Sequence, residues 1–186
     1  MEENKTIEIK QVLDYWFNEE MKQYWFASTP EIDAQISDKY KALWKYAKLD
    51  GLDHWRQSAE GCLALCIVLD QMPLNMFRDH KRSFSTEQQA TKISKYAIEK
   101  EFDKKIDKDR VAFLYMPLMH SENILDQDLS VESFQKAGLD HNMRFAKHHR
   151  ELIREFGRFP HRNKILGRDS TQKEIEYLKS KQAFTG

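Results

Sequence analysis

Residues 60–72 read EGCLALCIVLDQM, a stretch that is apolar on nearly every side when it is wound into a helix. A helix of this kind is buried in the core of a globular protein, so we expect it to lie centrally in the fold. Pro73 follows at once. Because proline lacks a backbone N–H and crowds the preceding turn, it is expected to end this helix.

Asp70 lies on the apolar face of the same helix, seven residues after Leu63. A carboxylate on such a face must be paired or protonated, because burial disfavours its charged form. The candidate partners are Arg78 and either Arg158 or Arg162. The pairing would be a structural salt bridge or part of a ligand contact, and the sequence leaves both open.

Helical periodicity dominates the rest of the chain, which holds only 6 Gly and 4 Pro, and no segment alternates as a strand does. Pro30 suits the first position of a helix, and Ser85 with Gln88 and Thr171 with Glu174 form capping boxes. These patterns predict an all-α fold of about eight helices, stacked as antiparallel hairpins. The predicted helices span residues 6–18, 30–49, 59–72, 85–101, 107–119, 121–137, 141–157 and 171–181.

The composition predicts one soluble domain over residues 1–186. Lys and Arg number 30 and Asp and Glu number 30, so no net charge favours nucleic acid or an anionic membrane as a partner. The longest apolar run, 63–69, is too short to span a bilayer, and the polar N-terminus does not resemble a signal peptide. Cys62 and Cys66 are expected to be small core residues in a reducing compartment, so we expect a cytoplasmic protein.

A basic run, FGRFPHRNKILGR, occupies residues 156–168 and contains no carboxylate. Cations placed among large apolar residues usually face buried acids or an anionic ligand, because a desolvated charge needs a partner. The run therefore indicates either a binding site or an ionic network in the core. Its cations are Arg158, His161, Arg162, Lys164 and Arg168.

A second dense cluster, FLYMPLMHSENILDQ, spans residues 113–127. Pro117 is expected to kink its helix or end it early, and Ser121 is placed to cap the next helix. Glu122 and Asp126 would then lie four apart on that helix and repel each other unless a cation or a shared proton intervenes. His120 is a candidate general acid or base, although a histidine at a helix end is more often a hydrogen-bonding cap.

His149 lies on an apolar helix face and is expected to be a core histidine with satisfied hydrogen bonds. His149, His120, Glu122 and His161 are residues of the types that ligate metals. They form no recognised metal-binding spacing, so no metal is expected. The chain has no GxSxG elbow, Walker loop or GxGxxG turn, and no cofactor is predicted.

Four motifs together resemble one bacterial family, known as domain of unknown function 924 and grouped with the tetratricopeptide-like helical superfamily. They are LDQMPLNMFR (69–78), FST (84–86), FLYMPLMHSENILDQ (113–127) and FGRFPHRNKILGRDST (156–171). The resemblance extends from about residue 12 to residue 184. It implies an all-α, tetratricopeptide-like fold of stacked antiparallel helices, and it implies no activity.

The family's shared polar positions can be carried over to this chain residue by residue. One position departs from the family, which usually has an arginine where this chain has Leu74. If that arginine binds a ligand in the relatives, a weaker anion affinity is expected here, and if it only lies on the surface, nothing changes. The shared positions are Asp70, Gln71, Asn75, Arg78, His120, Ser121, Glu122, Gln127, Arg158, His161, Arg162, Asn163 and Arg168.

The first functional hypothesis is a pocket for a small anionic molecule that bears a carboxylate or a phosphate. Arginine suits this role because its planar fork binds such groups through two hydrogen bonds. His120 and Glu122 would move protons if the ligand is turned over. The residues expected to bind the ligand are Asp70, Asn75, Arg78, Arg158, His161, Arg162, Asn163 and Arg168.

The second hypothesis is a protein-interaction module that holds a peptide in a concave groove, with partly exposed aromatic side chains as anchors. The candidate anchors are Trp16, Trp25, Phe26, Trp44 and Trp55. At helical spacing such aromatics are more often core residues. A third alternative is that the polar residues form a buried, fully paired network that fixes helix register and binds nothing. The oligomeric state is not predicted.

Overall fold

The computed structural model describes residues 8–181, 183 and 184. Within these residues the chain is helical and has no strand, which confirms the all-α prediction. Each predicted helix has a counterpart, although residues 6 and 7 of the first lie outside the described part. None of the described helices is long and apolar enough to cross a membrane. The helices are α1 (Ile9–Trp16), α2 (Glu19–Lys22), α3 (Pro30–Lys48), α4 (Ala59–Cys66), α5 (Met72–Met76), α6 (Glu87–Glu99), α7 (Ala112–His120), α8 (Ile124–Lys136), α9 (Asp140–Phe156), α10 (Asn163–Leu166) and α11 (Gln172–Lys179).

Two compact units make up the chain. The first covers Met1–Arg78 and Arg82–Pro117, and the second covers Asp79–Lys81 and Leu118–Gly186. A single domain over residues 1–186 and a tetratricopeptide-like stacking of hairpins both remain predictions.

The apolar stretch of residues 60–72 forms the centre of the first unit. Every residue of α4 from Gly61 to Cys66 is buried, and α4 packs against α1 and α6. Cys62 and Cys66 are free thiols with no exposed surface. Burial raises the pKa of Cys62 to about 11, so it stays protonated at neutral pH. Both cysteines are core residues, as predicted.

Pro73 does not end the central helix, and the prediction that it would is wrong. After α4 the chain widens into one turn of π-helix, Ile67–Gln71, and then continues as α5. Pro73 therefore falls in the first turn of α5, where a missing N–H costs little. The carbonyl of Leu69, four residues before the proline, accepts a hydrogen bond from the Thr86 hydroxyl at 2.5 Å and is satisfied from outside the helix.

The predicted helix ends have mixed outcomes. Pro30 begins α3 and follows an N-cap threonine, as expected, and the capping box of Thr171 and Glu174 is present at α11. The predicted box at Ser85 is wrong, because α6 begins one residue later and the Ser85 hydroxyl donates to a carbonyl in the preceding turn. An early end at Pro117 is also wrong, since α7 continues to residue 120.

In the second unit α8 packs against α9, and α9 ends at Gly157. Gly157 has a φ of +71°, in the left-handed region that glycine adopts without strain. The basic run follows as a 3₁₀ turn, Pro160–Arg162, and the short α10. Leu152, Ile153 and the wholly buried Phe159 form the local core beneath it.

Candidate functional site

An ion pair joins the basic run to Glu122, which lies just before the N-cap residue of α8. Arg168 donates two hydrogen bonds to Glu122, from Nη1 to Oε2 at 2.7 Å and from Nη2 to Oε1 at 2.9 Å. The backbone N–H of Phe159 donates to Glu122 Oε1 at 2.8 Å, and Arg168 Nη2 donates to the Phe159 carbonyl at 3.1 Å. Arg168 Nε donates to Asn163 Oδ1 at 2.9 Å. One guanidinium thus binds Glu122 and two residues of the basic run, Phe159 and Asn163.

Glu122 is an ionised anchor in this arrangement. Burial pushes the pKa of Glu122 up, but hydrogen bonds from Arg168 and from the Phe159 backbone, with the charges of Arg168 and Arg162, leave it below its usual value. Both of its oxygens accept hydrogen bonds. A general acid near neutral pH needs a raised pKa, which this environment does not provide.

A second ion pair, between Arg158 and Glu174, lies at the start of α11. Arg158 Nε and Nη2 donate to the two oxygens of Glu174 at 2.7 and 2.9 Å. The Glu174 side chain is 3% exposed and also accepts from the Thr171 backbone N–H at 2.7 Å. The hydrogen bond from Arg158 is the main cause that lowers the pKa of Glu174 to about 2. Arg158 and Arg168 therefore both face acids of the same unit.

The start of α8 differs from the sequence prediction. Asn123 caps the helix, with its side chain accepting from the Leu125 backbone N–H, so the expected cap at Ser121 is wrong. Glu122 therefore precedes the helix and does not lie on a face with Asp126. The Ser121 hydroxyl instead donates to Asp126 Oδ2 at 2.7 Å. The two acids thus have separate partners, Arg168 for Glu122 and Ser121 for Asp126.

Cationic and aromatic side chains surround the buried ring of Phe159. The guanidinium carbon of Arg162 lies 4.7 Å from the centre of this ring, and Arg162 is only 5% exposed. The imidazoles of His149 and His161 lie 5.5 and 5.6 Å from the same ring centre. Arg162 is thus a fixed, nearly buried cation that shares one aromatic platform with two histidines.

His149 is a core histidine, as predicted. It is 5% exposed, and its Nδ1 lies 2.8 Å from the Phe145 carbonyl. Burial lowers its pKa to about 3, with further lowering by the charges of His120, His148 and Arg162. His149 is therefore neutral at physiological pH.

His161 has a similar environment at the surface edge of the platform. Burial and the charge of Arg162 lower its pKa to about 4, and Arg162 acts on it more strongly than the opposing charge of Glu122. Its Nδ1 is buried and, within the described residues, has no hydrogen-bond partner. His161 is therefore neutral at physiological pH.

Phe184, which the sequence analysis did not single out, packs on this platform. Its ring centre lies 4.6 Å from that of His149 and 5.0 Å from that of His161. Its backbone N–H donates to the Tyr177 hydroxyl at 2.8 Å. We call the surface formed by Phe159, His149 and His161 the histidine socket. No periodic pattern follows α11 in the sequence, so nothing there could have indicated this contact.

The remaining candidates, Asp70, Asn75 and Arg78, lie in the first unit, and two of them bind Asp33, an acid that the sequence did not highlight. Arg78 Nε donates to Asp33 Oδ2 at 2.6 Å, and Asn75 Nδ2 donates to Asp33 Oδ1 at 2.8 Å. Burial raises the pKa of Asp33, but the hydrogen bonds from Arg78, Asn75 and Ser28 outweigh it and leave the pKa lowered. Asp70 accepts a hydrogen bond from the Gln71 amide at 2.6 Å.

A cavity of about 450 Å³ opens in the second unit between α9 and α11. Three glutamates are among the residues that line it, and one of them, Glu155, pairs with Lys173 at 3.1 Å. The predicted ligand-binding residues are not among the residues that line it, which are His148, Glu151, Leu152, Glu155, Phe156, Lys173, Glu176, Tyr177 and Ser180.

Metal binding has no support from the geometry of the described residues. Over residues 8–181, 183 and 184, no three or more His, Cys, Asp or Glu side chains are grouped so that they could hold an ion.

Comparisons with known proteins agree on one family and on the fold. Residues 12–182 match a family described as a bacterial protein of unknown function, DUF924. A solved structure of a protein of unknown function from Agrobacterium tumefaciens is 32% identical, with a TM-score of 0.87 over 92% of this chain and 96% of that one. No curated protein matches the chain.

Proposed function

Because this chain belongs to the DUF924 family of bacterial proteins of unknown function, its activity must be inferred from its own residues, and we propose that it binds a small anionic ligand beside the histidine socket. The ligand would carry a carboxylate or a phosphate, held by Arg162 and His161 with His120 nearby. The single observation that supports this proposal most is the nearly buried guanidinium of Arg162, whose carbon lies 4.7 Å from the centre of the Phe159 ring.

The preorganisation of Arg162 favours an anion. Its burial and its contact with Phe159 restrict the Arg162 side chain, so less conformational entropy is lost when the guanidinium binds an oxyanion than for an exposed arginine. The charges of Arg162 and His120 both disfavour protonation of His149 and His161. The potential of these side chains at the socket is therefore positive, which attracts negative charge.

The contacts of the other candidate residues limit the roles that each of them can have. Arg158 and Arg168 hold acids of their own unit, and this supports a structural role for them, as the network alternative expects. If the ligand is turned over, proton transfer would depend on His120. Glu122 is committed to Arg168, and the pKa values of His149 and His161 lie well below neutrality.

The second candidate, a tetratricopeptide-like module that binds a peptide in a groove, is favoured by one observation. Phe184 is part of a peptide segment, and it already occupies the histidine socket. The aromatic residues expected as exposed anchors give less support. Trp16, Trp44 and Trp55 are 1%, 4% and 5% exposed, whereas Phe26 is 76% exposed.

A thermal-shift titration of the full chain with inorganic phosphate and a panel of small carboxylates and phosphate esters tests the first candidate. A ligand at about 100 times its Kd adds about 2.7 kcal/mol, which raises Tm by roughly 5–10 °C for a chain of this size. Arg162→Gln should abolish the shift. The matched control is Arg154→Gln, which removes a half-exposed arginine of α9 and should leave the shift intact.

Two results would contradict the proposal. One is the absence of any shift across the panel for the unaltered chain. The other is an equal shift in a folded Arg162→Gln variant. If that variant does not fold, His161→Gln replaces it, because His161 is partly exposed and its loss disturbs the core less.

A further inference from the structure

Apolar and aromatic side chains form part of the wall of the cavity between α9 and α11. Leu152 is 4% exposed, and the rings of Phe156 and Tyr177 pack together with 5.1 Å between their centres. The volume of about 450 Å³ lies in the range of small-molecule sites, which combine apolar walls with a few polar groups. A ligand that fits this cavity therefore needs an apolar body.

An ammonium group of the chain itself lies at this wall. The Nζ atom of Lys173 is 5.4 Å from the centre of the Phe156 ring and 3.1 Å from Glu155 Oε1. The face of an aromatic ring attracts a cation, and a carboxylate beside it adds a charged hydrogen bond. The wall thus combines two features that favour an ammonium ion.

One carboxylate of the cavity has no cation of its own. Glu155 has its lysine, and Glu151 pairs with Arg154 at 2.9 Å. Glu176 accepts a hydrogen bond from the neutral amide of Gln172 at 2.9 Å, and no cation within the described part of the chain pairs with it. The charge of Glu176 therefore calls for a single positive charge on the ligand.

We propose that this cavity binds an organic cation, an amine that carries one ammonium group on an apolar or aromatic body. The body lies against Leu152 and Phe156, and the ammonium binds Glu176. The site goes beyond the proposed anion site and does not depend on it, because neither Arg162 nor His161 lines the cavity. Its carboxylates are exposed and screened by water, so we expect a weak affinity that falls further as salt is added.

An NMR titration of the ¹⁵N-labelled full-length chain with phenethylamine at low ionic strength tests the proposal. This amine is protonated at neutral pH, and 2-phenylethanol has the same body without the charge. The amine should bind at least about fivefold more tightly than the alcohol, because the carboxylate and the ring face both attract the ammonium. The backbone amides that shift should include those of residues 152 and 176. Equal affinity for the two compounds, or no binding at these amides, would overturn the proposal.

Two substitutions of exposed side chains should change the affinity for phenethylamine in opposite directions. Lys173→Gln removes the competing ammonium and should raise the affinity at least about threefold, whereas Glu176→Gln should lower it at least about threefold. Neither should alter the binding of 2-phenylethanol. Glu132→Gln and Lys136→Gln, which change an exposed ion pair of α8, are the matched controls and should leave both affinities unchanged.

The outcomes keep this site separate from the proposed anion site. If Lys173→Gln and Glu176→Gln change the affinity in the same direction, or do not change it, the inference is wrong whatever the phosphate and carboxylate titrations give. A folded Arg162→Gln variant should bind phenethylamine as the unaltered chain does. A loss of amine binding in that variant would place the amine elsewhere and would also overturn the inference.

Discussion

Arg168 and Glu122 form a two-pronged ion pair across 46 residues of sequence, and the same guanidinium also holds the Phe159 carbonyl. The pair is partly buried, with the two side chains 23% and 28% exposed. It connects the end of α7 and the start of α8 with the irregular segment that carries Arg162. The position of the proposed anion site therefore depends on this pair.

Breaking the pair should destabilise the protein more than a surface ion pair does. Arg168→Met leaves the half-buried carboxylate of Glu122 without its main partner, and we expect a loss of about 2–3 kcal/mol in the free energy of unfolding. In a double-mutant cycle with Glu122→Gln, the coupling energy should be about 1–2 kcal/mol. Urea unfolding of the four proteins measures both quantities.

The exposed pair of Lys173 and Glu155, with side chains 64% and 47% exposed, is the control for this cycle. Its coupling energy should be below about 0.5 kcal/mol, because water screens exposed charges. Equal coupling in the two cycles would show that the Arg168 pair does not anchor the segment.

Acidification should weaken the fold through the two neutral histidines. The pKa values of His149 and His161 fall to about 3 and about 4 in the folded protein, from an ordinary value of 6.5. Their contribution is therefore complete above pH 6.5 and is lost as the pH falls, because the unfolded chain takes up protons that the folded chain does not. At pH 5 we expect His149 to have cost about 2 kcal/mol of stability, and His161 less, because it is partly exposed.

Urea unfolding at pH 7.5, 6 and 5 measures this dependence. His149→Asn should be less stable at pH 7.5, yet its stability should fall less steeply between pH 7.5 and 5. An unaltered slope in the His149 variant would mean that the pKa of this imidazole is the same in the folded and the unfolded chain. Glu174, whose pKa is about 2, adds its own loss only below about pH 4.5.

The Thr86 hydroxyl should be essential to the central helix of the first unit. It donates to the Leu69 carbonyl at 2.5 Å and accepts from the Trp44 indole N–H at 3.1 Å, and Thr86 is 1% exposed. Thr86→Val keeps the shape but leaves two buried polar groups unsatisfied, at a cost of about 2–4 kcal/mol. Thr86→Ser retains the hydroxyl and should cost less than half as much. Chemical denaturation of both variants tests this, and equal losses would contradict it.

The helices were predictable because their signal is local. Apolar periodicity identified the central helix. Pro30, the first residue of α3, and Thr171, the N-cap residue of α11, marked two helix starts correctly. The turn of π-helix before Pro73 was not predictable, because a single widened turn leaves the apolar pattern unchanged. Sequence reasoning therefore ended this helix too early.

The sequence predicted many of the residues of the candidate site, but it did not predict which of them contact each other. Glu122 and Arg168 were both singled out, yet nothing local indicates that they meet. Asp33, which binds Arg78 from 45 residues away, and Phe184 were missed. Such contacts depend on the packing of distant elements, and a single sequence does not report it.

The exchange of backbone amides with solvent gives a final prediction about the histidine socket. In the free protein the Phe184 amide is protected by its hydrogen bond to the Tyr177 hydroxyl, and the Phe159 amide by its bond to Glu122. Tyr177→Phe removes the hydroxyl that accepts from the Phe184 amide, so this amide should exchange at least several-fold faster in the variant. The Phe159 amide should exchange at an unchanged rate, because its bond to Glu122 does not involve Tyr177. Hydrogen–deuterium exchange measured by NMR resolves both amides, and unchanged exchange at Phe184 in the variant would show that the Tyr177 hydroxyl does not protect it.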